Sequence, residues 1–120
     1  MKTIICEQDG QKIGRVVGDE IIIGKEQDAL DLMVDPQLQG ARRIIVDRKN
    51  IVPEFFDLST RIAGSILQKF VTYQMKLAIV GDFSDASKTL KDFIYETNRG
   101  NQIFFANDTR TAKRMLFAAK

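Results

Sequence analysis

Three uninterrupted apolar runs constrain this chain more than any other feature: Ile44-Ile45-Val46, Leu77-Ala78-Ile79-Val80 and Ile103-Phe104-Phe105-Ala106. A run without polar alternation predicts a strand covered on both faces, as in a parallel sheet. Parallel strands need a crossover between them, and the intervening segments carry helical periodicity. Ile62, Ala63, Ile66, Leu67 and Phe70 form the clearest stripe, Leu90, Phe93 and Ile94 a second, and Ala112, Met115, Leu116 and Ala119 a third. Ahead of them, Lys25 to Leu38 reads as a helix at least as far as Val34. Its expected inner face is Ala29, Leu30, Met33 and Val34, with Pro36 opening a short extra turn. Asp9-Gly10, between the β-rich runs Lys2–Glu7 and Lys12–Val17, predicts a hairpin. The expected fold is a single α/β domain over residues 1–120, with a mixed, mostly parallel sheet, an N-terminal β-hairpin and about four helices.

Composition narrows the chemistry. The 120 residues include no histidine, which removes Ser–His–Asp triads, Cys–His dyads and most zinc sites. The single cysteine, Cys6, cannot form an internal disulfide and points to a reducing, cytoplasmic setting. A formal net charge of +2 is too balanced to point to nucleic acid. No segment approaches the roughly 18 apolar residues of a membrane helix, so no membrane association is expected. No catalytic residue, metal ligand or cofactor is assigned.

The candidate site lies where loops follow strands, because ligands of open α/β sheets gather at the carboxyl ends of parallel strands. Asp57, Ser59 and Thr60 stand at the expected entry to the central helix, which is placed between Glu54 and Thr60; their oxygens suit capping of free N–H groups. Phe55 and Phe56 are adjacent, so one is expected in the core and the other on an interaction surface, with Phe83 a second exposed candidate. Asp47, Asp82, Ser84 and Asn107 are candidate ligand-binding residues on a shared rim. A histidine-free enzyme would pair Asp57 or Asp82 with Lys69 or Tyr95. Ser84 or Ser87 is expected to cap the third helix. Arg110, Lys113, Arg114 and Lys120 crowd the last helix, as a solvated face does. An exposed sheet edge leaves a homodimer open.

Several longer strings carry a resemblance: Asp28-Ala29-Leu30-Asp31-Leu32, Phe55-Phe56-Asp57-Leu58, Leu67-Gln68-Lys69-Phe70, Leu77 through Ser84, and Asp92-Phe93-Ile94-Tyr95-Glu96 with Asn98-Arg99-Gly100. On them the chain resembles a bacterial family of about this length known only as a domain of unknown function. Ser59, Arg61 and Ser65 depart from that pattern, where Lys, Gly and Glu are more typical. The element order is similar to the STAS fold of anti-sigma factor antagonists. In those regulators a serine in an Asp-Ser motif at the start of a helix is phosphorylated by a partner kinase. The resemblance implies a cytoplasmic regulatory or protein-interaction module with an unidentified protein partner. Asp57 with Ser59 or Thr60 takes the place of that motif, and Thr60 and Ser59 are the candidate phosphorylation positions. The alternative is a small-ligand sensor with its pocket at the strand ends.

Overall fold

Asp9 and Gly10 both take positive φ, 53° and 82°, the backbone a two-residue hairpin turn requires. They join β1 (Lys2–Gln8) to β2 (Gln11–Val17), which pair antiparallel with Gln8 opposite Gln11. The computed structural model describes residues 1–120. After the hairpin come α1 (Glu26–Leu38), β3 (Arg43–Asp47), α2 (Ile62–Thr72), β4 (Lys76–Val80), α3 (Lys88–Asn98), β5 (Ile103–Ala106) and α4 (Thr109–Ala118). The strands lie in the order β1-β2-β3-β4-β5, and every pairing after the hairpin is parallel. This is the α/β architecture with a mixed five-stranded sheet that the apolar runs predict.

The sheet divides the core into two layers, because alternate residues of each strand face opposite ways. Val16, Ile44, Val46, Leu77, Ile79 and Phe105 face the layer of α1, α2 and α3. Ile13, Ile45, Ala78, Phe104 and Ala106 face α4, where they meet Ala112 and Leu116. Arg43 ties the end of α4 down by donating from Nε to the Leu116 carbonyl (2.8 Å) and from Nη2 to that of Ala119 (3.1 Å).

Helix α1 keeps part of its expected inner face: Ala29 and Met33 are buried and Leu30 is half-buried, but Val34 is 55% exposed, and Leu32 and Pro36 are buried as well. The helix also continues through Pro36 instead of restarting there. Pro36 is buried where β2 presents Gly14; a Cβ on Gly14 would lie 2.9 Å from Pro36 Cβ and 3.3 Å from Thr3 Cγ2. Burial of the proline ring against that opening offsets the missing N–H, and it rotates the packed face away from Val34.

The central helix begins later than expected, at Ile62. The residues before it form two 3-10 turns, Pro53–Phe56 and Leu58–Thr60. Ser87, not Ser84, caps α3, its Oγ accepting from Leu90 N at 3.1 Å. Asp108 caps α4, accepting from Thr111 N at 2.7 Å. Asn98, at the end of α3, closes part of the β5 edge: its Oδ1 accepts from Phe105 N (2.7 Å) and its Nδ2 donates to the Phe105 carbonyl (3.1 Å).

Candidate functional site

Parallel pairing brings the carboxyl ends of β2, β3 and β4 to one side of the sheet, where the chain runs out of β3 into Asp47-Arg48 and out of β4 into Gly81-Asp82. Arg48 is the residue that joins these loops. Its guanidinium lies 5.1 Å from the Phe56 ring centroid and 4.9 Å from that of Phe83, and its Nη1 donates to the Asp82 carbonyl. A cation held over ring faces is attracted by their quadrupoles. Beneath it the rings continue inward: Phe56 to Phe83 at 5.8 Å, Phe83 to Phe105 at 5.4 Å, Phe105 to Phe93 at 6.1 Å. Arg48 therefore covers the outer end of an aromatic chain that begins in the core.

Asn50 secures the neighbouring wall. It is 1% exposed, and its Nδ2 donates to the carbonyls of Gly18 and Glu20, both at 2.8 Å. Its main-chain carbonyl accepts from Ile22 N and Ile23 N. These bonds hold the 18–23 segment against the turn Arg48–Asn50 and so position Ile21 beside the cleft. Neither Arg48 nor Asn50 belongs to the residues that sequence spacing singles out. Nothing in the order of residues links positions 48, 56 and 83, or 50 and 18; a charged residue directly after a buried strand is the one signal they offer.

The 53–60 segment is built from local hydrogen bonds. Asp57 Oδ1 accepts from Ser59 N (3.1 Å) and Ser59 Oγ (2.7 Å), which closes the second 3-10 turn. Thr60 Oγ1 lies 2.9 Å from the Glu54 carbonyl and 2.8 Å from that of Asp57, and it accepts from Ile62 N at 3.3 Å. Capping thus divides: Asp57 serves the turn, and Thr60 reaches the first N–H of α2. The residue at the helix start is Arg61, with φ 65° and no side-chain cap. A left-handed backbone carries a Cβ penalty of roughly 1 kcal/mol for a residue that is not glycine. Arg61→Gly is therefore expected to raise stability by about 0.5–1 kcal/mol, read as a higher urea midpoint at unchanged slope. A lower midpoint would mean that the Arg61 side chain contributes more than its backbone strain removes.

Of the adjacent pair, Phe55 (2% exposed) is the core residue and Phe56 is half-buried beneath Arg48, while Phe83 (8%), expected outside, is buried. The correction for Phe83 has a clear cause: it fills the gap between Phe56 and Phe105.

The expected shared rim is three depressions around Arg48. Asp47 and Asp82 border a cleft of about 690 Å³ with Arg48, Ile21 and Phe56. Asp57 and Ser59 border a groove of about 510 Å³ that reaches Ser87 and Leu90. Ser84 and Asn107 border a third, of about 540 Å³, with Asp82 and Lys91. Lys69 and Tyr95 border none of these; Tyr95 is 63% exposed, with Arg99 5.8 Å from its ring centroid. Asp47 pairs with Arg15 at 3.9 Å. The Asp82 carboxyl is held below the usual carboxylate range, first by the hydrogen bond from Ser84 N, then by the Ser84 hydroxyl and the Arg48 charge. A depressed pKa makes this turn fully favourable above the ordinary Asp pKa and weaker as pH falls through the lowered one. No three acidic or cysteine side chains converge as a metal-binding group.

The site is thus an open saddle in which the Arg48 guanidinium lies over a half-covered aromatic ring, with Lys49 on the cleft wall and hydroxyl-bearing turns beside it. No helix of the chain is long and apolar enough to cross a membrane. A family model, described as the domain of unknown function DUF4180, matches residues 8–116. Comparison with curated proteins and with solved structures gives no match.

Proposed function

We propose that this chain, which belongs to that domain-of-unknown-function family, works as a cytoplasmic regulatory module that binds a protein partner through the saddle around Arg48 and Phe56. The observation that carries this reading is the half-buried Phe56 ring, flanked by two open grooves and joined to the core through Phe83. An aromatic anchor in a rigid surround with a polar rim is the usual composition of an interface centre. The two shifted carboxylates, Asp82 and Asp108, are depressed by local turn and cap hydrogen bonds, as structural groups are. The similarity in element order to STAS regulators supports the same reading by analogy.

The 53–60 turns supply a means of control. A phosphate on Thr60 would remove the hydroxyl proton now shared with the carbonyls of Glu54 and Asp57, and it would add negative charge where Ile62 N now donates. A phosphate on Ser59 would face the Asp57 carboxylate that its hydroxyl now contacts. Either modification reshapes the rim of Phe56.

Affinity capture from the native cell tests the proposal. Phe56→Asp is expected to reduce recovery of the bound protein at least tenfold with the circular dichroism spectrum unchanged, and Thr60→Glu to reduce it in the same direction. Equal recovery with all three baits would place the interaction elsewhere. The cleft of about 690 Å³ beside Asp47, Arg48 and Asp82 favours a second reading, a small polar ligand; under it no protein is captured by any bait.

A further inference from the structure

The face of the sheet that carries α4 is only partly covered. One helix spans it, and beside that helix the outer strand β1 is left partly open, with Ile4 44% exposed. Between β1 and α4 runs a groove of about 690 Å³, with Cys6, Phe117, Arg110, Lys113 and Arg114 in its walls. None of these cations is in an ion pair within the chain. On the opposite face α1 packs beneath β1 and β2. Its outer side shows Val34 (55% exposed) and Leu38 (81%) beside the exposed Asp31 and Asp35. Helix α1 contains Glu26, Asp28, Asp31 and Asp35 and no Lys or Arg, and α4 contains Arg110, Lys113 and Arg114 and no Asp or Glu. Asp31 and Asp35 are contacted by the neutral amides of Gln27 and Gln39, so their charge is uncompensated.

We infer that the groove between β1 and α4 receives helix α1 of a second copy of this chain, in a reciprocal twofold dimer. Both features border the same free edge, since β1 pairs only with β2. A twofold axis along that edge turns one sheet over relative to the other. It thereby brings the α1 face of each copy beside the α4 face of its partner, and the contact is made twice. Val34 and Leu38 then cover Ile4 and Phe117, while Asp31 and Asp35 meet Arg110 and Arg114. The pairing also covers an edge strand that has neither proline nor bulge to protect it. This surface involves none of the residues of the Arg48 saddle, so it stands or falls independently of the proposed partner site.

Sedimentation of the full chain across about 1 µM to 1 mM tests the inference. The native chain is expected to move from monomer to dimer, with at least a tenfold weaker dissociation constant when salt is raised from about 0.05 to 0.5 M. Arg110→Glu with Arg114→Glu, and separately Asp31→Lys with Asp35→Lys, are each expected to remain monomeric over that range. An equimolar mixture of the two variants is expected to recover a heterodimer, because both reciprocal contacts are again between opposite charges. A native chain that stays monomeric, or a dimer indifferent to salt, overturns the inference. So does failure of two folded variants to pair with each other.

Discussion

Asn50→Asp is expected to lower the stability of the fold by about 3–5 kcal/mol. The side chain is 1% exposed, and its Nδ2 is the donor to two carbonyls that face it, those of Gly18 and Glu20. The substitution is nearly isosteric, so packing changes little. What changes is the electrostatics: both donated bonds disappear, and a carboxylate is placed against two carbonyl oxygens. An uncompensated buried charge costs far more than the loss of a neutral hydrogen bond. The pH dependence separates this cause from simple loss of fit. Burial beside acceptors raises the introduced carboxyl's folded pKa above the unfolded value of about 3.9. The penalty is then complete above the folded pKa and shrinks as pH falls toward and below the unfolded one, because the neutral acid can donate one bond. Urea unfolding of native and variant chains at about pH 7 and pH 4 should therefore show the gap narrowing at the lower pH. A constant gap would assign the loss to shape.

Gly81→Ala is expected to cost about 2 kcal/mol, through Arg48. A Cβ at Gly81 would lie 2.7 Å from Arg48 Cβ and 3.2 Å from its Cδ. The first of these atoms is held by the backbone that follows β3, so rotation of the long side chain does not relieve the contact. Arg48 must shift bodily, and its guanidinium leaves Phe56, Phe83 and the Asp82 carbonyl together. A double-mutant cycle with Arg48→Gly measures the coupling, since that background removes the clashing Cβ. Gly81→Ala should cost at least about 1 kcal/mol less there than in the native chain. Equal costs in both backgrounds would show that the strain lies in the backbone at residue 81. The same displacement uncovers Phe56, so binding of a partner at the saddle should weaken as well.

Much of the architecture was legible before any tertiary contact was known. The runs at 44–46, 77–80 and 103–106 identify themselves as strands by lacking polar alternation, and Asp9-Gly10 identifies the hairpin. The stripe from Ile62 to Phe70 fixes the packed face of α2 because five apolar residues at helical spacing leave one orientation. In helix α1, Leu30, Val34 and Leu38 form an apolar stripe of their own, and the fit of Pro36 against Gly14 turns the packed face toward Leu32 and away from Val34. The site was legible as a place and not as a set of residues. Strand-end loops were expected to carry it, and Asp47, Asp57 and Asp82 do lie there. Asp47 and Asp82 share one cleft and Asp57 borders another, a division that depends on where Arg48 runs between them.

The sequence by itself determined the elements, their order and the side of the sheet at which the loops meet, because periodicity, turn chemistry and the right-handed crossover are local or nearly local properties. The tertiary structure alone decided which polar residues matter. Arg48 acts through rings at 56 and 83, and Asn50 through carbonyls at 18 and 20. Those contacts arise only once distant segments share one end of the sheet. A cation over a ring or a buried amide takes its energy from what surrounds it, and neighbours in the chain do not reveal those surroundings.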